Sequence, residues 1–389
     1  MRESGDGSVF VVAGELSGDM HAAELVRELK ARRPDIDVWG IGGDHLLAEG
    51  MKVSQQCRDM AVMGIWEVLK RYGFFRKIFD RTLAAVLKRR PSVVLLVDYP
   101  GFNLRLAKAL KESGIPVVQY ICPQVWAWKK GRIPTMVEVL DQVLCILPFE
   151  PEIFEDTALK ATFVGHPLVP QMRAVRASEK ATLPWEGFDR RVALLPGSRA
   201  MEVERLLPVM IEAAVELDKQ KSDVHYVIGA SDEERAEQIR EIVAASSAVP
   251  QNLHVVVGQA REVMRQASAA WIASGTATLE AGLLGCPMVI VYKTAWLTYE
   301  IGRRVLTIDH VGLVNILAKR GICPELLQHE ATAKGLVSSI VGLIDEGQER
   351  DAMVRDLNAL EAGLGAHDGP GFAVDQLMPY LDGTVTQQD

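Results

Sequence analysis

Asp98 closes the most hydrophobic run of the chain, Val93-Val-Leu-Leu-Val97, and is followed by Tyr99-Pro-Gly-Phe-Asn103. A carboxylate just beyond a strand faces the ligand-binding end of a sheet, where it could act as a general base. The same Asp ahead of Pro100 could equally cap a turn. Glu15, in the loop Gly14-Glu-Leu-Ser-Gly18 after Val9–Val12, is a second carboxylate in such a place. In the other half, Leu195-Pro-Gly-Ser-Arg199 has the form of a turn into a helix. Gly197 and Ser198 would offer backbone N–H groups to a phosphate, and Arg199 adds a charged fork. Ala273-Ser-Gly-Thr-Ala-Thr-Leu-Glu280 repeats the form. Ser274, Thr276 and Thr278 supply hydroxyls, Gly275 lets a ligand approach the backbone, and Glu280 could accept from both hydroxyls of a ribose. Each loop also reads as an ordinary helix cap. Two of them in one half favour a nucleotide diphosphate.

Other chemistries fit less well. No Walker-type phosphate loop occurs, and Gly40-Ile-Gly42-Gly43 lacks the last glycine of a dinucleotide fingerprint, which weakens ATPase and dehydrogenase readings. All eight histidines are solitary, so no metal signature is present and no metal or cofactor is expected. The five cysteines, Cys57, Cys122, Cys145, Cys286 and Cys323, form no C-x-x-C pair and read as buried or idle thiols of a reducing compartment.

The elements that must carry these loops are short β-branched runs, each followed by a helical pattern. Besides residues 9–12 and 93–97, strands are expected at 117–121, 142–146, 192–195, 224–228, 253–257, 270–273 and 288–292. Nearly continuous apolar strands alternating with helices imply parallel sheets covered on both faces. The strand, glycine loop and helix that open the chain start again at Arg191. The expected fold class is therefore α/β, two doubly wound Rossmann-like domains facing across a cleft. Boundaries are expected at 1–170, a polar linker over 171–190, a second domain over 191–360, and a helix over 361–389 that crosses back to the first.

At 389 residues, 48% hydrophobic and 24% charged, the chain is an ordinary globular protein with no apolar run long enough to span a bilayer. Its start lacks the basic leader of a signal peptide, so export is not expected. A net charge of −8 argues against nucleic acid as a partner. That charge is unevenly spread. Residues 60–90 hold eight Lys/Arg against Glu67 and Asp80, which is +6 and leaves −14 elsewhere. Trp66, Leu69, Phe74 and Phe75 interleave with those cations, a composition suited to an anionic membrane surface; a half-buried helix with a basic face is the plainer alternative.

Taken together, Ala13-Gly-Glu-Leu-Ser-Gly-Asp19, Ala61-Val-Met-Gly-Ile-Trp-Glu-Val-Leu69, Asp98–Asn103, Pro123-Gln-Val-Trp-Ala-Trp128, Leu147-Pro-Phe-Glu150, Phe163-Val-Gly-His-Pro167, Leu194–Arg199, Ala273–Glu280 and Asn315-Ile-Leu-Ala318 resemble the lipid-A-disaccharide synthases in order and spacing. These are bacterial glycosyltransferases of the two-domain GT-B fold. The resemblance implies an acylated UDP-sugar donor, UDP-2,3-diacylglucosamine, and an acylated sugar-phosphate acceptor, 2,3-diacylglucosamine 1-phosphate. They would be joined β-1,6 with inversion and release of UDP, without metal or cofactor.

Carried across, Asp98 matches the general base and Arg199 the arginine that meets the departing diphosphate. Gly197, Ser198, the 274–280 loop, Gly258, Gln259 and Asn315 match donor-binding positions. Glu15, Ser17, Met63 and His166 are candidates on the acceptor side. The resemblance also implies a cytoplasmic enzyme, peripheral on the inner face of the bacterial inner membrane. The sequence departs from the family pattern at Gly101, where Asp is usual, and at Val314, where proline is usual. Another GT-B UDP-sugar enzyme, a UDP-GlcNAc epimerase among them, or a non-catalytic nucleotide-sugar binder at a membrane are the alternatives.

Overall fold

The structure is a computed structural model, and it describes residues 7–60, 72–128, 130–294 and 309–384. The chain forms two compact units, one of Met1–Pro167 with Leu364–Asp389 and one of Leu168–Gly363.

The sheet of the first unit contains β1 (Val9–Ala13), β2 (Val38–Gly42), β3 (Lys52–Gln56), β4 (Val93–Val97), β5 (Val117–Tyr120), β6 (Gln142–Cys145) and β7 (Lys160–Phe163). Every pairing is parallel and the order is β3-β2-β1-β4-β5-β6-β7. Successive side chains of a strand point to opposite faces, and here both faces are covered. Phe10, Val12, Val94 and Leu96 belong to one apolar cluster, under helices Tyr72–Arg89 and Pro100–Leu110. Val9, Val11, Ala13, Leu95 and Val97 belong to the other, with helices Leu16–Arg32 and Pro370–Leu381. Burial on both sides is why these strands read as unbroken apolar runs.

The second unit repeats the design. Its strands are β8 (Arg190–Leu195), β9 (Val224–Ala230), β10 (Leu253–Val257), β11 (Ala269–Ala273), β12 (Met288–Tyr292) and β13 (Glu325–Leu327), again parallel, in the order β10-β9-β8-β11-β12-β13. The segment expected as a linker begins inside helix Leu168–Ala177, which groups with this unit.

In both sheets the strand order reverses after the first strand, at β1/β4 and at β8/β11. Two crossovers leave in opposite directions there, so a crevice opens beyond the carboxyl ends of that pair. The registers are level: Ala13 pairs with Val97, and Leu195 with Ile272. Glu15 and Asp98 therefore emerge from neighbouring strands, as do Gly197–Arg199 and Ser274–Glu280. β2, β3, β7 and β13 were not among the expected strands. All five cysteines are free and buried. Among the described residues no helix is long and apolar enough to cross a membrane.

Candidate functional site

In the second unit, Gly197, Ser198, Arg199, Ser274, Gly275, Thr276 and Glu280 line one cavity of about 360 Å³ at the β8/β11 switch point. Gly197 is required at its turn. It adopts φ +110°, and a Cβ there would collide with the Glu202 carboxylate. Glu202 is one turn into helix Ala200–Asp218. It accepts the Arg199 N–H at 3.3 Å and the Arg199 guanidinium at 2.9 Å. The Arg199 side chain is 72% exposed, so the ion pair holds the guanidinium at the cavity mouth without burying it.

Across the cavity, helix Thr276–Leu283 presents its N-terminus, whose first N–H groups have no intrahelical acceptors. Glu280 Oε1 accepts both Arg261 Nε, at 2.9 Å, and Arg261 Nη2, at 2.7 Å; Arg261 Nη2 also donates to Gln171 at 2.8 Å. The carboxylate is thereby fixed in orientation.

The other donor-side candidates are placed differently. Thr278 is buried and its hydroxyl donates to the Gly275 carbonyl at 2.8 Å, so its donor is spent on the backbone of its own turn. The Ser274 hydroxyl donates to the Val311 carbonyl at 2.8 Å. Gly258 and Gln259 are exposed on the turn after β10, and only their neighbour Ala260 reaches the cavity. Asn315 is fully buried with its amide filled. Nδ2 donates to the Cys323 carbonyl and to Glu325, and Oδ1 accepts from Ile322 and Cys323 N–H, all between 2.7 and 2.9 Å. The amide therefore holds the loop into β13. Glu325 also takes the N–H groups of Val311 and Gly312, each at 3.0 Å.

In the first unit, Asp98 and Tyr99 are both left-handed, at φ +46° and +45°. For non-glycine residues that conformation is strained by roughly 1–3 kcal/mol each and persists only where neighbours enforce it. Buried Asn103 and Gln119 do so, donating to the Asp98 carbonyl at 2.6 and 3.2 Å. The half-buried Asp98 carboxyl is raised above the usual aspartate range by desolvation, against the pull of the Tyr99 N–H. The Tyr99 ring lies over Gly14, where a Cβ would overlap it. Glu15 and Ser17 are exposed at the start of helix Leu16–Arg32.

The family then follows from comparison. A family model described as lipid-A-disaccharide synthetase matches residues 9–364. The chain belongs to the lipid-A-disaccharide synthase family. A lipid-A-disaccharide synthase of Myxococcus xanthus (strain DK1622) is 40% identical over 378 residues, covering 96% of this chain and 97% of the relative. Two solved structures share the fold. A UDP-GlcNAc 2-epimerase from Neisseria meningitidis bound to UDP-GlcNAc has a TM-score of 0.63 at 13% identity, covering 95% of this chain and 98% of that one. The glycotransferase of kitacinnamycin has a TM-score of 0.62 at 17% identity, covering 98% and 100%. The fold is thus the GT-B fold expected of the family, and the chain is a glycosyltransferase enzyme of lipid A biosynthesis.

The remaining family-derived candidates divide. His166 is buried and its pKa is lowered to about 3, chiefly by desolvation and also by His21, so it is an uncharged core residue near neutral pH. Met63, Trp66 and Leu69 lie outside the described residues. Phe75 packs on the core, while Phe74 is 36% exposed. Two cations of the basic window turn inward. Arg89 pairs with Asp37 at 2.5 Å and covers the Trp39 ring, and Arg90 donates to the Ser113 carbonyl at 2.9 Å.

Sequence reasoning gave no role to several residues that shape the candidate sites, Glu202, Arg261 and Glu325 in the second unit and Gln119 and Asp19 in the first. Buried Asp19 accepts the Gly43, His45 and Leu46 N–H groups, joining the first turn of helix Leu16–Arg32 to the N-terminus of helix Asp44–Ala48. Glu150 was quoted only as part of a motif. Its carboxylate takes the Trp126 indole N–H at 3.2 Å and the Ile146 and Leu147 N–H groups. Burial raises its pKa to about 8 against those donors. The ligand atoms of Cys122, Cys145 and Glu150 lie within 4.8 Å of one another, but the Cys122 thiol donates to the Pro123 carbonyl at 3.4 Å.

Proposed function

We propose that the second unit binds UDP-2,3-diacylglucosamine and that the first activates 2,3-diacylglucosamine 1-phosphate, giving the β-1,6 disaccharide 1-phosphate and UDP. The observation that carries this is the convergence of the Gly197–Arg199 and Ser274–Glu280 loops on one cavity. The diphosphate lies against the N-terminus of helix Thr276–Leu283 and the Gly197–Ser198 turn, where N–H groups and the helix dipole favour anions. Glu280 Oε2 accepts the ribose hydroxyls, since Arg261 engages Oε1.

Asp98 removes the proton from the acceptor 6-hydroxyl as that oxygen attacks the anomeric carbon. The bond to UDP breaks on the opposite face, which inverts the centre, and the electron pair leaves with the diphosphate. Arg199 meets the charge that develops there, a contribution largest in the transition state. A carboxylate with a raised pKa is the better base for this step.

Both sugars are acylated, so the enzyme works at the inner face of the inner membrane, as a peripheral protein. Exposed Phe74, Trp128, Arg76, Lys77, Arg81 and Lys88 supply an aromatic-cationic contact of the kind anionic headgroups attract. The boundaries given by the two units suit a donor domain and an acceptor domain. Mass spectrometry of products from the two acylated sugars tests the reading. The wild type should yield disaccharide and UDP, and Asp98→Ala should yield about 10²–10⁴-fold less. Equal product from both proteins removes Asp98 from the reaction, and none from the wild type rejects the substrates.

A further inference from the structure

Helices Tyr72–Arg89 and Pro100–Leu110 pack over the same face of the first unit's sheet, and between them lies a groove of about 640 Å³. Its floor is aromatic. Phe79 and Phe102 meet edge-to-face at 5.7 Å, Tyr99 lies 6.2 Å from Phe102, and Phe75 packs on the core beside them. The Tyr99 hydroxyl donates to the Met60 carbonyl at 3.3 Å, so the one polar group on the floor is engaged. Such a surface suits a ligand segment that asks for no hydrogen bonds. The rim is cationic. Arg105 lies one turn beyond Gly101 on an exposed helix face, and Arg76 is 71% exposed in a loose 3.8 Å pair with Asp80.

The groove starts one residue from Asp98. Gly101 forms part of its lining, and a Cβ placed there would meet nothing within 4 Å. The wall is therefore open where any larger side chain would project. The volume falls in the roughly 300–1,000 Å³ range of small-molecule sites.

We propose that this groove binds one acyl chain of the acceptor, with Arg105 at its mouth beside the acceptor phosphate. The inference rests on the substrates proposed above and adds where the acceptor chain lies and what limits its length. Apolar floor and cationic rim match an acyl chain attached to an anionic head. The nucleotide-binding loops of the donor belong to the other unit, and Asp98, which adjoins the groove, acts on the acceptor. Gly101 sets the space available, because a side chain there displaces methylenes from the aromatic floor.

The test uses the full-length protein, vesicles of phosphatidylglycerol and phosphatidylcholine, and acceptors that differ only in acyl length. Gly101→Leu should raise KM for the long-chain acceptor about tenfold, the loss expected for roughly two methylenes returned to water. It should leave kcat and the donor KM unchanged, and the penalty should vanish for a shortened acceptor. Gly101→Ala should stay close to the wild type. Phe79→Ser should show the same length-dependent rise; if it does not fold, Gly101→Leu alone carries the test, its fold checked by an unchanged melting temperature. A KM equally raised at every acyl length, or no change at all, rejects the groove. So does a rise in the donor KM, or a change confined to vesicle sedimentation, which would assign the groove to the donor chain or to bulk lipid. A wild type that forms no disaccharide brings down the substrates and the groove together, whereas disaccharide formation without length dependence overturns the groove alone.

Discussion

Asp98 gathers its features from neighbours both near and distant in sequence. The buried run Val93–Val97 delivers it to the carboxyl end of the sheet, the side chains of Asn103 and Gln119 hold its backbone left-handed, and desolvation raises its pKa. A general base must be deprotonated to act, so a raised pKa moves the acid limb of kcat/KM upward from the ordinary aspartate value near 3.9. Activity should therefore fall as pH drops through a point above that value. The limb should be absent from the residual activity of Asp98→Ala, measured with the same substrates so that their phosphates titrate identically in both. A limb that persists unchanged in the variant would assign it to the substrate. The residue's candidacy was legible because a carboxylate after an apolar strand is a local pattern. Its backbone strain was not, since Gln119 lies 21 residues away on the neighbouring strand.

At the scale of elements, visibility in the sequence followed burial. β1, β4, β8 and β11 lie central in their sheets with both faces covered, so their apolar runs stood out. β3, Lys-Val-Ser-Gln-Gln, is an edge strand facing partly into solvent, β7 and β13 are edge strands of four and three residues, and β2 contains Gly40 and Gly42. Short edges and glycine-bearing strands carry little periodic signal. The partners that tune the site were hidden for a related reason. Arg261–Glu280 and Asp19–Gly43 span 19 and 24 residues, and only the sheet order brings them together. In the basic window the pairing of Arg89 was hidden in the same way, because Arg89 is 52 residues from Asp37. Asn315 gives this scale its prediction. Through Glu325 and Val311 its amide supports Ser274, so Asn315→Ala strips partners from several buried groups at about 1–3 kcal/mol for each one left unsatisfied. Calorimetry should show the second unit melting earlier, with UDP affinity falling as its loop loosens. Weakened UDP binding at an unchanged melting temperature would instead make Asn315 a direct ligand contact.

Across the whole molecule, the chain builds two parallel sheets with reversed strand order and then returns to the first. Helix Pro370–Leu381 buries Ala373, Val374, Leu377 and Tyr380 in the same apolar cluster as Val9, Val11 and Val97. The Tyr380 hydroxyl donates to Gln142 on β6 at 3.1 Å, and Asp375 and Asp382 pair with Arg32 and Arg33 at the end of the first helix. The strand that delivers Asp98 is thus supported by the last helix of the chain, while the loops proposed to bind UDP stand on a separate sheet. The two units should therefore respond to different perturbations. Leu377 is fully buried, and Leu377→Ala leaves a cavity worth about 2–5 kcal/mol. In scanning calorimetry the substitution should lower a transition that UDP does not move, whereas UDP should raise the other by mass action. Affinity for UDP should stay near that of the wild type while disaccharide formation fails first on warming, because the base is lost before the donor site. A single transition, lowered by Leu377→Ala and raised by UDP, would mean that the two sheets unfold as one cooperative body.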